Sequence, residues 1–345
     1  MVVENLSESQ IINDDEINFR FLSTYLEKLK IACKIYKGNF YLDSFNYFPI
    51  SEENQTFIDI YKWRENHEYK HYFSKEFFEN FTKNKLNYKI FKDTLVLGSS
   101  TGNNYYRNLL TFIPRLFFIP DEDVDIAIHR NTSNRTRDFI EQILKIRKIK
   151  LNKFIYLDDD FYSFKNSLMP QFFPIKTSIK ILNQIFRKQI NNQKKIYITR
   201  KNSNYRRLVN ESDLIDVLKK NDYTIIDLET YSIMEQIEIF ASAKKIISPT
   251  SSALSNCVFC SNDAEIYEIT PSYKHQYEQT FKSRYSDISK ILNLKYFRLE
   301  ADPVEVQEVD DKTQKFVSKK IIKDSNYYKN LIIKKENFIK FIENN

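Results

Sequence analysis

The chain has 345 residues, 42% of them hydrophobic and 29% charged, a composition typical of globular proteins with about two domains. Its three glycines (Gly38, Gly98 and Gly102) form neither the Gly-x-Gly-x-x-Gly fingerprint of dinucleotide-binding enzymes nor a Gly-rich phosphate loop before lysine, which argues against both classes. The net charge of +7 is spread along the chain among acidic residues; it argues against a nucleic-acid partner and fits anionic small ligands or an acidic membrane surface.

The first half of the chain predicts a mixed region and then an alternation of strands and helices. We expect an irregular start over residues 1–20, short strands between residues 31 and 48, and mainly helix over residues 56–92. After them, the hydrophobic pattern predicts strands at 93–97, 124–128 and 154–157, and helices at 105–113 and 133–146, with Pro114 ending the first helix. This alternation predicts a parallel sheet with helices on both faces.

A second alternation follows residues 158–175, which contain Pro170 and Pro174 and which we interpret as the domain connection. A helix is predicted at 176–189. Strands are then predicted at 195–199, 224–227, 245–248, 265–269 and 295–299, and helices at 211–221, 232–243, 251–259 and 285–292. We expect domains at 1–170 and 171–300, and a tail at 301–345 that ends in a helix at 336–344. The predicted class is α/β, with two Rossmann-like domains.

Cysteines, histidines and apolar runs indicate neither a metal site nor a membrane span. Cys257 and Cys260 form a lone Cys-x-x-Cys without the second ligand pair that zinc needs, and we expect both to be buried. An odd, low cysteine count favours a reducing compartment. The amino terminus is polar, and no apolar run approaches the ~20 residues of a membrane span. We expect a cytoplasmic protein; peripheral association with the inner face of the membrane stays open.

Four loops of the second predicted domain carry polar side chains at strand ends, where ligands bind in parallel α/β sheets. In chain order, the candidates are Arg200, Arg206, Asn210 and Glu211 after the first strand, Glu235 and Gln236 after the second, Thr250, Ser251, Ser252 and Asn256 after the third, and Glu268 at the end of the fourth. Arginine suits bidentate diphosphate recognition, hydroxyl residues at a helix start can present N–H groups to an anion, and a carboxylate can accept the hydrogen bonds of a ribose diol.

Each of these residues also has an ordinary structural explanation. Arg206 can form a surface ion pair, Glu235 can favour a helix first turn, and Ser251 and Ser252 can be N-caps. Taken singly, the ordinary explanation is preferred. Because the four loops follow consecutive strands and meet at one rim, together they favour a nucleotide-diphosphate site.

The run 196–271 resembles glycosyltransferase family 61, the group often labelled as capsular polysaccharide biosynthesis proteins. The residues that match its pattern are Arg200, Arg206, Asn210, Glu211, Glu235, Gln236, Ala253, Leu254, Asn256, Phe259 and Glu268. A weaker similarity covers 104–116, where Asn-Tyr-Tyr-Arg-Asn and Pro-Arg-Leu are similar to the family's Asn-Tyr-Tyr-His-Trp and Leu-Pro-Arg-Leu.

The resemblance implies a GT-B architecture, in which two Rossmann-like domains face each other across a cleft. It implies an inverting, metal-independent transfer of a hexose or pentose from a nucleotide-sugar donor, UDP-linked, to a glycan or lipid-linked glycan acceptor. The pathway implied is capsular or lipopolysaccharide-type surface polysaccharide biosynthesis, with no cofactor beyond the donor. The N-terminal domain would then bind the acceptor, and the C-terminal domain the nucleotide sugar.

The chain departs from the family pattern in two places. Arg107 and Asn108 stand where the family has His-Trp, and Thr250 and Ser251 where it has His-Gly. We assign Asn104, Arg107 and Asn108 to the acceptor side. Two alternatives stay open: a non-catalytic member that binds nucleotide sugar or glycan in a biosynthetic complex, and a GT-B enzyme with a CMP- or GDP-linked donor.

The general base is not assigned. Because arginine cannot act as a general base near neutral pH, the candidates in the first domain are Asp123, Asp125 and Asp158. Asp158 also opens a run of three aspartates that resembles an Asp-x-Asp metal motif. That run follows a strand in the interpreted domain connection, so no metal is predicted.

Overall fold

The computed structural model of the protein describes residues 3–4, 11–12, 31, 33, 35–45, 47–52, 56–57, 75–98, 104–188, 194–273, 278, 281–306 and 319–344. The chain divides into two compact units, Met1–Ile185 and Phe186–Asn345. Each unit is built on one β-sheet with helices, in agreement with the predicted α/β class. Most of the predictions for residues 1–34 and 53–74, and Gly102, lie outside the described residues. No helix in the described part of the chain has the length and apolar character needed to cross a bilayer.

The first unit contains a mixed sheet of ten strands, in the order β1-β5-β4-β3-β10-β7-β8-β9, with β2 beside β3 and β6 beside β10. Strands β10, β7, β8 and β9 run parallel, and β3 is antiparallel to β10. The strands are β1 (Val3–Glu4), β2 (Ile11–Ile12), β3 (Ile35–Asp43), β4 (Phe48–Ile50), β5 (Thr56–Phe57), β6 (Lys89–Lys92), β7 (Thr94–Val96), β8 (Val124–His129), β9 (Leu151–Leu157) and β10 (Phe161–Pro170).

The described helices of the first unit are α1 (Lys75–Asn84), α2 (Tyr105–Arg107), α3 (Asn134–Ile146) and α4 (Ile175–Phe186). Helix α3 confirms the helix predicted at 133–146: Ser133 caps it by accepting the N–H of Thr136, and its buried face includes Phe139, Ile140 and Ile143. The helix predicted to end at Pro114 differs. It continues from α2 as a π-helix (Asn108–Phe112) and a 3₁₀-helix (Ile113–Phe118), because proline is tolerated in the first turn of the new helix.

The interpretation of residues 158–175 as a domain connection is corrected by the structure. Strand β10 fills most of this segment and lies between β3 and β7 in the middle of the first sheet. Polar residues and a register shift between Phe164 and Ser167 interrupt the alternation of apolar and polar residues by which a strand is recognised in the sequence. The shift occurs where Asn166 adopts a left-handed backbone with φ 46°. Pro170 is the last residue of the strand, a position where proline removes little of the ladder.

Arg115 joins the carboxyl ends of two parallel strands in the first unit. Its side chain is fully buried, and it donates hydrogen bonds to the main-chain oxygens of Val96 and Leu97, at the end of β7, and of Pro170, at the end of β10. The guanidinium carbon lies 3.9 Å from the centre of the Phe172 ring. These contacts hold together two strands that share a single residue pair, Leu168 and Leu95.

The second unit contains a six-stranded sheet in the order β12-β11-β13-β14-β15-β16, of which the first five strands are parallel. The strands are β11 (Lys194–Ile198), β12 (Tyr223–Ile226), β13 (Ala243–Pro249), β14 (Glu265–Pro271), β15 (Lys295–Val304) and β16 (Asn330–Ile332). The strand order therefore reverses direction between β11 and β13. In doubly wound sheets, ligands bind outside the carboxyl ends of the strands at such a switch point.

The described helices of the second unit are α5 (Glu211–Lys220), α6 (Ile233–Ala241), α7 (Arg284–Leu292), α8 (Lys319–Asp324) and α9 (Lys335–Glu343), with 3₁₀-helices at Leu228–Thr230, Ser252–Phe259 and Asn326–Tyr328. The helix predicted near the C-terminus is confirmed as α9. The predicted tail contributes to the core of this unit, since Leu331 and Phe338 pack in one buried cluster with Tyr197 and Tyr267. Cys257 and Cys260 are buried, as predicted, and neither forms a disulfide bond.

Substitution of Arg115 by methionine should lower the free energy of unfolding by about 3 kcal/mol or more, because three buried main-chain oxygens lose their charged donor. Urea denaturation followed by circular dichroism measures the loss. The control is Arg130→Met, which removes an exposed arginine of the same unit, and for which a much smaller loss is expected. Equal losses for the two variants would contradict the assigned role.

Candidate functional site

The loop after β11 presents two buried arginines at the switch point of the second sheet. Arg200 Nη2 donates to the main-chain oxygen of Tyr205 at 3.0 Å. Arg206 adopts a left-handed backbone with φ 59° and is only 6% exposed. A left-handed conformation is unusual for a non-glycine residue, and such residues cluster at functional sites. Both predicted arginines therefore lie where a ligand of this sheet would bind.

Six buried polar atoms near this end of the sheet have no hydrogen-bond partner among the residues that the structure describes. They are Arg200 Nε, Arg206 Nε, Ser251 Oγ, Glu268 Oε1, Thr270 Oγ1 and Tyr273 Oη. All lie in or just after the carboxyl ends of β11, β13 and β14. A buried polar atom without a partner costs free energy, so a group of them at one strand edge indicates a place for a polar ligand.

Two positive guanidinium groups lie at the same strand edge as the buried carboxyl group of Glu268. Burial and the neighbouring guanidinium of Arg206 lower the pKa of Arg200 to about 10, so it stays charged at neutral pH. Burial raises the pKa of Glu268 above its ordinary value, although the Tyr296 hydroxyl and Arg298 act in the opposite direction. The combination suits an anion that also offers hydroxyl groups to a carboxylate.

Tyrosines surround the two arginines. The guanidinium carbon of Arg206 lies 4.1 Å from the centre of the Tyr327 ring and 4.8 Å from that of Tyr205. Burial acts to raise the pKa of Tyr327, but the guanidiniums of Arg206 and Arg284 lower it below its ordinary value. These rings hold a charged group at a fixed position in a region with little water.

The turn after β13 brings hydroxyl groups to the same edge. The Thr250 N–H donates to the main-chain oxygen of Ile269 at 2.8 Å, which ties this turn to β14. Ser251 is fully buried and does not cap the following 3₁₀-helix, so the predicted N-cap alternative does not hold for its side chain. Ser252, the first residue of that helix, is half-buried, and its main-chain oxygen accepts a hydrogen bond from Ser255.

Four other predicted site residues tie the loops together through hydrogen bonds within the protein. Glu211 accepts from the hydroxyls of Tyr197 and Thr199, both at 2.7 Å, and Asn210 Nδ2 donates to the main-chain oxygen of Ile333 at 2.8 Å. Gln236 donates to the main-chain oxygens of Leu228 and Tyr231 and accepts from Asn256 Nδ2 at 2.8 Å. The structure thus shows them as supports of the site; as contacts to a donor they stay predictions.

Glu235 is exposed and caps helix α6. Its carboxylate accepts the N–H and the hydroxyl of Ser232, each at 2.7 Å, and the Ser232 side chain accepts the N–H of Glu235. This reciprocal pair is a capping box. The hydrogen bonds from Ser232 lower the pKa of Glu235. Glu235 therefore stabilises the first turn of a helix, which is the ordinary structural explanation given for it above.

The predicted acceptor-side residues open an irregular helix in the first unit. Asn104 caps α2, with its side chain accepting the N–H of Arg107 at 3.1 Å. Arg107 is half-buried, and Asn108 is the buried first residue of the π-helix. Short π-helical segments inside helices occur frequently at functional sites. The segment also follows β7, so it lies at the carboxyl end of a parallel strand.

The three candidate bases occupy different ends of the first sheet. Asp123 and Asp125 lie at the amino end of β8, and Asp125 pairs with Lys153 at 3.3 Å. Asp158 follows β9 at its carboxyl end and accepts two hydrogen bonds from Arg130, at 2.6 and 2.9 Å, which lower its pKa. By position, Asp158 is the candidate on the edge where ligands of parallel sheets bind.

Sequence reasoning missed a histidine–carboxylate pair at the same edge. His129 ends β8, its Nε2 lies 3.0 Å from Asp159 Oδ1, and its Nδ1 accepts the N–H of Asn131 at 3.1 Å. Both ring nitrogens are thus engaged, and the ring joins the loops after β8 and β9. Within the described ranges, no group of three or more histidine, cysteine, aspartate or glutamate side chains is arranged to hold a metal ion.

Sequence reasoning also missed Thr270, Tyr273 and Tyr327. Thr270 and Tyr273 each hold a buried polar atom without a partner in the described structure, and the Tyr327 ring packs on Arg206. All three lie at the end of the last matched strand or after it, in segments where no motif is recognisable. The available signal was compositional, since a tyrosine and an arginine occur together at 284–285 and within 296–298, and two tyrosines at 327–328.

Comparison with protein families confirms the resemblance found in the sequence. Residues 105–267 match the family model described as Glycosyltransferase 61. The matched range contains Arg107, Arg200, Arg206 and Ser251 and ends one residue before Glu268. Among curated proteins, the comparison found no match. The family indicates a glycosyltransferase, which uses a nucleotide-sugar donor and a glycan acceptor.

Replacing Glu268 by glutamine should stabilise the protein at neutral pH. Because the folded-state pKa of Glu268 lies above its ordinary value of 4.5, folding binds protons, and its contribution to stability falls as the pH rises. The advantage of Glu268→Gln in urea denaturation should therefore disappear below about pH 4.5, where both states are protonated.

Glu265→Gln is the matched control, because Glu265 lies in the same strand with a pKa shifted the other way. Burial raises the pKa of Glu265, but hydrogen bonds from Lys295 and Tyr267 bring it below its ordinary value. Its contribution to stability is therefore present at neutral pH and lost on acidification, so this variant should be less stable than the wild type at neutral pH. A destabilised Glu268→Gln at neutral pH would contradict the assignment.

Proposed function

Because residues 105–267 match the glycosyltransferase 61 family model, we propose that the protein transfers a sugar from a nucleoside diphosphate to a glycan, with the diphosphate bound at the switch point of the second sheet. The observation that carries this proposal is the group of six unpartnered, buried polar atoms there, two of which are the Nε atoms of Arg200 and Arg206. Planar guanidinium groups bind diphosphate oxygens through paired hydrogen bonds.

The residues of the site have distinct roles in this proposal. Arg200 and Arg206 neutralise the diphosphate and stabilise the negative charge that grows on it as it leaves. Ser251 and Thr270 donate hydroxyl hydrogen bonds to phosphate or sugar oxygens. Glu268, buried beside them, accepts hydrogen bonds from the ribose hydroxyls through the oxygen that has no partner in the described structure.

The proposed reaction is a displacement at the anomeric carbon with inversion. The acceptor hydroxyl loses its proton to a base, its oxygen forms the new bond to the anomeric carbon, and the bond from that carbon to the diphosphate breaks with the electron pair leaving on the phosphate. Because the guanidiniums supply positive charge to the leaving group, we propose a metal-independent transfer. Asp158 is the preferred base because of its place at the carboxyl edge.

We infer the donor and the acceptor from the family resemblance together with this site. The donor is a UDP-linked hexose or pentose, and the acceptor is a glycan or lipid-linked glycan in capsular or lipopolysaccharide-type biosynthesis. Acceptor binding involves Asn104, Arg107 and Asn108 in the first unit. The GT-B architecture, the cytoplasmic location and peripheral membrane association belong to the same proposal and stay predictions from the sequence.

A second candidate function is nucleotide-sugar binding without transfer. Arg107 and Asn108 replace the His-Trp pair expected from the family pattern, and neither residue can act as a general base. Asn108 is also buried in the π-helix. A protein of this kind would bind the donor through the same arginines and serve within a biosynthetic complex.

Arg200→Lys should weaken nucleotide binding by about tenfold or more, because lysine keeps the charge but loses the planar pair of donors. Thermal shift with UDP, GDP, CMP and ADP identifies the preferred nucleotide, since a ligand at about 100 times its dissociation constant adds ~2.7 kcal/mol of stability. Calorimetry then gives the dissociation constants. Arg207→Lys, at the exposed neighbouring arginine, is the control and should bind as the wild type does.

Asp158→Asn should lower turnover by about 10² to 10⁴ while leaving donor affinity unchanged, as expected for loss of a general base. The measurement is release of nucleoside diphosphate from a panel of nucleotide sugars, with and without glycan acceptors and with EDTA present. Asp125→Asn, at the amino end of β8, should keep wild-type turnover. Binding without any turnover would support the non-catalytic alternative, and absence of both would contradict the proposed function.

A further inference from the structure

We propose that residues 325–333, here named the C-terminal clamp, are a positioning element of the donor site that holds Arg206 in place through Tyr327 and thereby sets nucleotide affinity. This inference rests on the proposed function. The clamp lies beyond the 105–267 range of the family match, so it adds residues to the site that the family pattern does not include. Two sets of hydrogen bonds and one stack of side chains carry the proposal.

The first set of hydrogen bonds ties the clamp to the loop that carries Arg206. The main-chain N–H of Arg206 donates to the main-chain oxygen of Lys329 at 3.0 Å. The main-chain N–H of Leu331 donates to the main-chain oxygen of Arg207 at 2.8 Å. The Val209 N–H in turn donates to Leu331, also at 2.8 Å. The loop thus pairs with the clamp through its main chain at Arg206 and at the residues that follow it, which supports the left-handed backbone there.

The second set ties the clamp to the segment after β14. Glu278 is fully buried, and one of its oxygens accepts both the Tyr327 N–H at 3.0 Å and the Ser325 hydroxyl at 2.5 Å. Asn326 Nδ2 donates to the main-chain oxygen of Ser272 at 2.8 Å. Ser272 immediately precedes Tyr273, one of the residues with an unpartnered polar atom. The clamp therefore connects two loops of the site.

A stack of side chains determines where the Arg206 guanidinium lies. The Tyr327 ring stacks on Phe281, with 4.0 Å between ring centres and 16° between planes. The guanidinium of Arg206 lies on Tyr327 and on Tyr205, at 4.1 and 4.8 Å. Because cation–π contacts are strongest in desolvated places, the rings favour one position of the guanidinium, with its Nε free for a ligand.

The proposal has a reciprocal consequence. If the clamp raises nucleotide affinity by positioning Arg206, nucleotide binding must stabilise the clamp by the same factor. Amide hydrogens that bond between the clamp and the β11 loop, such as those of Arg206 and Leu331, should then exchange more slowly when nucleotide is bound.

The test compares three variants of the full chain with the nucleoside diphosphate that gives the largest thermal shift in the panel. Tyr327→Leu removes the ring and should raise the dissociation constant about tenfold or more, whereas Tyr327→Phe keeps the ring and should recover most of the affinity. Phe240→Leu perturbs a fully buried residue of α6 in the same unit, outside the cluster that contains the clamp, so it lowers stability while leaving affinity unchanged. This pattern separates positioning from a general loss of stability.

Hydrogen exchange of the wild-type protein provides the second measurement, which does not depend on the folding of any variant. Slower exchange of residues 325–333 with nucleotide supports the proposal, and unchanged exchange overturns it. Wild-type affinity in Tyr327→Leu, together with weakened binding in Arg200→Lys, overturns the clamp and leaves the proposed function intact. Failure of the wild-type protein to bind any nucleoside diphosphate overturns both.

Discussion

A buried guanidinium is most stable when all of its N–H groups find acceptors, and the Nε of Arg206 has no acceptor within the described protein. Its Nε has no partner, yet its charge is held at one point by the rings of Tyr205 and Tyr327. The sheet order, the left-handed backbone at Arg206 and the hydrogen bonds from Lys329 all serve to keep that charge there. The site therefore carries an electrostatic cost that binding of an anion would remove.

Two buried arginines of the chain differ in whether their N–H groups are all engaged within the protein, and this difference suggests different roles for them. Arg115 is as deeply buried as any residue in the first unit, but it donates to three main-chain oxygens and joins two strands. Arg206 stacks on aromatic rings instead, which leaves a donor available. The same distinction divides the predicted donor residues: Glu211, Gln236 and Asn256 are bonded within the protein, whereas Ser251 and Glu268 each retain a free atom.

Much of the second sheet could be predicted from the sequence because its strands are short apolar runs separated by amphipathic helices. The same patterns failed at β10, where polar residues and the bulge after Phe164 interrupt the alternation of a central strand. Arg200, Arg206, Ser251 and Glu268 were predictable because they follow recognisable strands. Tyr327 was not, since its contact with Arg206 depends on a segment more than a hundred residues away along the chain.

The hydrogen bonds of the second unit show why we assign its C-terminal segment to the proposed site. A nucleotide that enters the switch point meets two loops, after β11 and after β14, and loops at strand ends have few main-chain partners of their own. Here those partners come from residues 325–333, which bond to Arg206 on one side and to Ser272 on the other. Because the ordering cost of these loops is met during folding, the binding free energy of the proposed diphosphate ligand would not have to supply it. Preorganisation of this kind places the positive charge before the leaving group develops its negative charge, which is the condition for stabilising the transition state more than the bound donor.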